Sequence, residues 1–315
     1  MNTPSFVVDD KSASPFVRIE GGRRDGTMIG ISDSSTSVLK GKVDIKPFLN
    51  GLGLKPREVM VISQDVERAL RTGHEPIEPV ANAVYKEVQK APSDPARDFE
   101  VHDSHFQCVF GQDMSTNRVA YIFGASGCGK STQAKLLADE WRKTHKKDPV
   151  YIFSRFNGDS DECLKIKNAE YISEADMMDH VTDKGMAIKS DDLTTPCLVI
   201  CDDYDSFTKK AYDSCAESIK DFLECGRKHG ISLIITSHLA VDKTKPLLRT
   251  VWNEAHLVGL FPSACQGRLA KYGLETYAGL DKQQINKLLK LPSRCVFLRK
   301  PYPQAVSSQH EIYLL

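Results

Sequence analysis

Eight residues, Gly124-Ala125-Ser126-Gly127-Cys128-Gly129-Lys130-Ser131, constrain this 315-residue chain more than any other stretch. They fit the phosphate-loop pattern G-x-x-x-x-G-K-[ST] in full. Glycine lets the backbone turn tightly, so successive N–H groups converge on phosphate oxygens. A helix beginning at the end of the loop adds its positive N-terminus. The flanks agree, since Val119-Ala120-Tyr121-Ile122-Phe123 reads as a buried strand and Thr132 to His145 as a helix. The expected nucleotide-binding residues are therefore Gly124, Ala125, Ser126, Gly127, Cys128, Gly129, Lys130, Ser131 and Thr132. Lys130 is expected to reach the β- and γ-phosphates of ATP, and Ser131 to ligate Mg²⁺.

A second motif lies downstream. Leu198-Val199-Ile200-Cys201-Asp202-Asp203 is an apolar strand ending in two acids, the Walker B form. Asp202 is expected to hold Mg²⁺, and Asp203 to orient or activate the attacking water. Without the phosphate loop, a solvated Asp-Asp turn would be the better reading. The strand from Ile231 ends in Thr236-Ser237-His238, and ligands of parallel α/β sheets sit beyond such carboxyl ends. Thr236 and His238 are candidates for sensing the γ-phosphate or placing water. Ser237 is equally suited to capping a helix. Phosphoryl transfer also gains from a cation on the developing charge. Arg249, placed just before a strand, is the first choice for it, and Arg227, at the end of a long helix, the second.

From about residue 105 the chain alternates strands and helices, which favours an α/β domain with a mostly parallel sheet. Val150–Phe153, Cys197–Cys201, Ile231–Thr236 and Ala255–Phe261 read as strands. Lys209–Lys228 reads as an amphipathic helix stopped by Gly230. Arg294–Leu315 suggests a C-terminal hairpin turning at Lys300-Pro301-Tyr302-Pro303. The first hundred residues are mixed and weakly patterned, with helices expected over Glu58–Arg71 and Val80–Lys90. Ala91-Pro92-Ser93-Asp94-Pro95 breaks the pattern. The expected division is an N-terminal region over residues 1–100 and a P-loop ATPase domain over 101–315. The expected fold class is α/β: a P-loop NTPase of the ASCE, RecA-like kind, its parallel sheet flanked by helices, with a C-terminal hairpin and a smaller mixed N-terminal region.

Composition closes off other classes. Lys plus Arg and Asp plus Glu both number 42, so the net charge is zero, which argues against static coating of nucleic acid. The charge is segregated, however: residues 151–225 carry a net −9 and residues 241–315 a net +6. Nine cysteines without Cys-x-x-Cys spacing point to neither zinc nor a disulfide framework. No run of 18 apolar residues appears, and the first ten residues lack the marks of a signal peptide, so neither a membrane span nor secretion is expected.

These motifs, with Gly226-Arg227-Lys228-His229-Gly230-Ile231-Ser232 and Arg249-Thr250-Val251-Trp252-Asn253, resemble the poxvirus-type DNA-packaging ATPases of large double-stranded DNA viruses, within the FtsK–HerA superfamily. The resemblance covers about residues 105–315. It implies a homo-oligomeric ring that hydrolyses ATP with Mg²⁺ at subunit interfaces. Such a ring drives double-stranded DNA into a capsid and meets a capsid or portal-vertex protein. It implies an intracellular place, in the host cytoplasm or a viral factory, or association with the virion. Arg249 falls where that family places its trans-acting arginine. Asp203 stands where many superfamily members have Glu, and the shorter side chain requires the water to be held differently. The competing expectation is a P-loop kinase that phosphorylates a small acceptor. The lid that a kinase needs is weak here, with only Arg268 between Phe261 and Arg294.

Overall fold

The computed structural model describes residues 4–10, 13–32, 49, 54–72, 74–90, 97–112, 118–155, 165–241, 246–264 and 267–315. The break expected at 91–95 lies outside these residues, as does the first half of the turn that the sequence Gly51-Leu52-Gly53-Leu54-Lys55-Pro56 suggests.

Six strands form the parallel part of a ten-stranded sheet: β6 (Val119–Phe123), β7 (Val150–Ser154), β8 (Ala169–Ser173), β9 (Cys197–Cys201), β10 (Ile231–Ser237) and β11 (Leu257–Leu260). Their spatial order is β11-β6-β10-β9-β7-β8. The strand leading into the phosphate loop and the strand ending in the acid pair are thus separated by β10, as the ASCE, RecA-like expectation requires. Every residue of β7, β9 and β10 is buried. This follows from strands covered on both faces, and it is why their sequences are apolar runs and not alternations.

Helices connect these strands. α3 (Lys130–Thr144) leaves the phosphate loop, α4 (Glu174–Lys184) follows β8, α5 (Lys209–His229) precedes β10, and α6 (Pro246–Glu254) precedes β11. Gly230 ends α5 at φ 78°, the left-handed conformation of a helix C-cap. A Cβ there would also meet the Pro196 ring at 3.0 Å. Two further helices, α7 (Arg268–Ala278) and α8 (Lys282–Leu289), lie between β11 and the C-terminal strands.

The C-terminal hairpin is larger than expected. β12 (Val296–Arg299), β13 (Ala305–Ser307) and β14 (Glu311–Leu314) form an antiparallel meander that extends the sheet from β11. The turn expected at Lys300–Pro303 joins β12 to β13. The short β4 (Asp98–Glu100) closes that edge against β14.

The N-terminal region is built from β1 (Ser5–Val8), β2 (Ser14–Glu20) and β3 (Met28–Ser32), joined by β5 (His105–Cys108) in a four-stranded antiparallel sheet. Around residue 100 the chain gives one strand to each sheet. Phe6, Phe16, Ile19 and Phe106 belong to the same continuous core as the parallel strands. Arg18 of β2 pairs with the buried Glu140 of α3 at 3.2 Å. The helical hairpin α1 (Pro56–Thr72) and α2 (Pro79–Lys90) has its own small core of Ile62, Val66, Ala69, Ala81, Val84 and Tyr85.

Candidate functional site

The phosphate loop runs from the end of β6 to the start of α3. The N–H of Gly124 donates to the Ser237 carbonyl at 3.1 Å, which ties the loop's first residue to the end of β10. Only glycine fits there, because a Cβ would lie 2.7 Å from Cys128 Sγ and 2.9 Å from the Phe261 ring. Gly129 has φ 110° and caps α3 with no side-chain hydrogen bond, and no acidic residue lies in the helix's first turn. No capping side chain and no first-turn acid competes with an anion for the N–H groups at this helix start. Ala125, Ser126, Gly127 and Thr132 are exposed, whereas the Lys130 side chain is 4% exposed.

Lys130 and Ser131 each meet one of the two acids at the end of β9. Lys130 Nζ lies 3.2 Å from Asp203 Oδ1, and Ser131 Oγ lies 3.3 Å from both oxygens of the buried Asp202. A buried carboxylate beside the Ser131 hydroxyl is a hard oxygen donor set of the kind Mg²⁺ takes, so these residues fit that ion.

Thr236 joins the two acids. Its fully buried hydroxyl donates to Asp202 Oδ1 at 2.8 Å and accepts the Asp203 N–H at 2.6 Å. Asp203 itself is held at φ 43°, in the left-handed region that a non-glycine residue enters at a cost of about 1–3 kcal/mol. Ser237 and His238 turn to a different partner, Asp205, in the turn after β9. Ser237 Oγ and the His238 N–H both donate to Asp205 Oδ2, at 3.0 Å and 2.9 Å. His238 Nδ1 lies 3.2 Å from Asp205 Oδ1, and His238 Nε2 lies 3.5 Å from Asp203 Oδ2.

The expected residues Lys130, Ser131, Asp202, Asp203, Thr236 and His238 thus converge on one end of the parallel strands. Arg249 does not join them. It sits exposed in the first turn of α6, not in a loop leading directly to a strand, and makes no ion pair or hydrogen bond among the described residues. Arg227 is farther away, in the last turn of α5, where its charge acts on His256 at the opposite end of the strands.

Two residues at the site went unread in the sequence. Asp205 had a nearby signal, the third acid of Asp202-Asp203-Tyr204-Asp205, but its role depends on a partner 33 residues away. Arg294 has no local signal at all. It reaches back from the start of the C-terminal meander, donates Nε–H to the Cys128 carbonyl at 3.1 Å, and lies against Gly129. The Cys128 thiol is pushed above its usual pKa, mainly by burial, against the opposing pull of Lys130.

A phosphate loop entering a helix, with its lysine and serine each facing one carboxylate of a second strand of the same parallel sheet, defines a P-loop ATPase. The chain is 33% identical over 190 residues to the uncharacterised protein V3 of Sputnik virophage, covering 59% of this chain and 72% of that protein, and it belongs to the same family. No protein-family profile matches the chain. Among solved structures it is similar to B204, the DNA-packaging ATPase of Sulfolobus turreted icosahedral virus (15% identity, 62% of this chain and 96% of that one, TM-score 0.40). It is also similar to the pCW3 conjugation coupling protein TcpA (12% identity, 93% and 76%, TM-score 0.41) and to the cytoplasmic domain of the type VII secretion ATPase EccC of Thermomonospora curvata (15% identity, 78% and 32%, TM-score 0.42). Among the described residues no helix is long and apolar enough to cross a membrane.

Proposed function

We propose that the chain hydrolyses ATP and uses the energy to move double-stranded DNA into a viral capsid, as a homo-oligomeric ring. The observation that carries the reading is the convergence of Lys130, Ser131, Asp202 and Asp203 at one end of the sheet while Arg249 stands exposed, with no ion pair or hydrogen bond among the described residues. That arrangement suits an arginine acting on a neighbouring subunit's nucleotide. The sequence resemblance to packaging ATPases adds the substrate and the direction of the work.

In this reading the loop N–H groups from Gly124 to Ser131, with Thr132 beside them, cradle the phosphates. On binding, Lys130 exchanges Asp203 for the β- and γ-phosphates. Ser131 and Asp202 would hold Mg²⁺, which would supply positive charge against the phosphate oxygens. Asp203, freed of the lysine, faces the attacking water. Thr236 keeps both acids in register, and the partner's arginine meets the charge developing on the γ-phosphoryl group. The basic stretch 241–315 supplies DNA-phosphate contacts or meets the acidic stretch of a neighbouring subunit. Residues 1–100 form the region that docks on a capsid or portal-vertex protein or caps the ring, the motor lying in residues 101–315.

Displacement of a triplex-forming oligonucleotide from duplex DNA tests the translocase. With Mg²⁺ and ATP the wild-type chain should strip the third strand, and Lys130→Ala should not. Mixing Arg249→Ala with Asp203→Asn should restore part of the activity that each lacks alone. ATP turnover without displacement would overturn the translocase. Transfer of the γ-phosphate to a small acceptor would instead establish a kinase.

A further inference from the structure

The side chain of Asp205 is buried like that of Asp202, whereas that of Asp203 is partly exposed. The Asp205 side chain is 5% exposed, and both oxygens are occupied by Ser237 and by the backbone and ring of His238. An ionised carboxylate only accepts hydrogen bonds. The imidazole proton therefore sits on Nδ1, toward Asp205, and Nε2 is left as the lone-pair face. That face lies 3.5 Å from Asp203 Oδ2, which is itself an acceptor. Lys130 occupies the other oxygen of Asp203, Oδ1. In the neutral tautomer that donates to Asp205, Nε2 and Asp203 Oδ2 are two acceptors side by side. A water bound there would donate one hydrogen to each of them and keep a lone pair of its oxygen for attack.

We propose that Asp205 is a positioning residue for hydrolysis, fixing the tautomer and aim of His238 so that His238 Nε2, beside Asp203, grips the attacking water and takes its proton. The proposal rests on the ATPase reading and assigns the proton a destination within it. The water oxygen bonds to Pγ, and the bond from Pγ to the bridging oxygen breaks. The electron pair leaves on ADP, and the water proton moves to Nε2. His238 is 33% exposed, so the proton then passes to solvent. The second hydrogen stays on the attacking oxygen, and the hydrogen bond it donates to Asp203 sets the water's orientation. This division of labour compensates for the shortness of Asp203, which as a lone base would stand back from the water that a glutamate reaches.

The test uses the full chain with Mg²⁺-ATP, measuring single-turnover hydrolysis and, separately, the affinity for a fluorescent ATP analogue. Asp205→Asn disturbs the tautomer while keeping the shape, and should lower the hydrolysis rate by about 10²-fold or more with affinity within about threefold. His238→Ala should lose a similar factor, and the double variant should be no worse than His238→Ala alone, because the residues act as a unit. Added imidazole should restore part of the rate to His238→Ala but none to Lys130→Ala. That rescue keeps the proposal testable if Asp205→Asn fails to fold, and a purely structural histidine would not show it. A rate within threefold of wild type for Asp205→Asn, multiplicative losses in the double variant, or no imidazole rescue would overturn the proposal and leave the ATPase reading standing. A wild-type chain that hydrolyses no ATP would overturn both.

Discussion

Replacing Thr236 by valine removes one hydroxyl and leaves the side-chain shape almost unchanged. The hydroxyl is fully buried at the end of β10, donates to Asp202 Oδ1 at 2.8 Å and accepts the Asp203 N–H at 2.6 Å. A hydrogen bond to a charged group contributes about 1.5–3 kcal/mol, and a buried N–H left without an acceptor costs a further 1–3 kcal/mol or so. Thr236→Val should therefore lower stability by about 3 kcal/mol or more. Thr236→Ser keeps the hydroxyl and loses one methyl group, for about 1 kcal/mol. Urea unfolding of the three proteins, followed by fluorescence of the buried Trp141 and Trp252, reads the difference. Because Asp203 is held at positive φ partly by this bond, Thr236→Val should also slow hydrolysis more than it weakens nucleotide binding. Equal losses for serine and valine, or a valine variant within about 1 kcal/mol of wild type, would refute the view that this hydroxyl couples the two acids.

Three further outcomes follow from the site and its surroundings. Arg294→Ala should weaken nucleotide binding by several-fold, the worth of about 1 kcal/mol, because it removes the guanidinium held on the Cys128 carbonyl beside Gly129. Unlike Arg249→Ala, it should gain nothing on mixing with Asp203→Asn, since it acts in its own chain. His256, beside a cleft it shares with Arg118 and Arg299, has its pKa pushed down to about 4 by burial and by Arg118, Lys300, Arg299 and Arg227. The unfolded chain takes up that proton near pH 6.5 and the folded chain only near about 4, so the stability this ring contributes is present above about pH 6.5 and lost as pH falls toward about 4. Allowing for solvent screening, wild type should lose about 1–2 kcal/mol more than His256→Gln between about pH 7 and about pH 5 in urea titrations. Finally, alkylation of Cys128, followed by peptide mass mapping, should be slow at neutral pH, quicken as pH rises beyond the usual thiol range, and be blocked by bound ATP. Rapid neutral-pH modification insensitive to ATP would contradict its placement in the nucleotide loop.

The parallel sheet was legible because strands covered on both faces read as apolar runs, as residues 119–123, 150–153, 197–201 and 233–235 do. The phosphate loop was legible because the Cys128 thiol and the Phe261 ring crowd Gly124 and leave no room for a side chain there. β8 escaped notice for the opposite reason: it is an edge strand with Glu170 and Tyr171 exposed, so it carries no apolar run. Its helix could have been found. Ser173 and Asp176 form a reciprocal capping box at the start of α4, as Asp281 and Gln284 do for α8. The C-terminal hairpin was undercounted because β14 pairs with β4, some two hundred residues earlier in the chain. Asp205 and Arg294 lay beyond local reading for the same physical cause. Each acts through a contact that only the folded sheet creates, across 33 and 166 residues.

The measurement closest to the central claim is steady-state phosphate release from Mg²⁺-ATP, with and without double-stranded DNA, for the wild-type chain and for Lys130→Ala. The wild type should release phosphate, and duplex DNA should raise the rate. Lys130→Ala should be inactive in both conditions. Phosphate release that survives loss of Lys130, or a wild-type rate indifferent to DNA, would contradict the account.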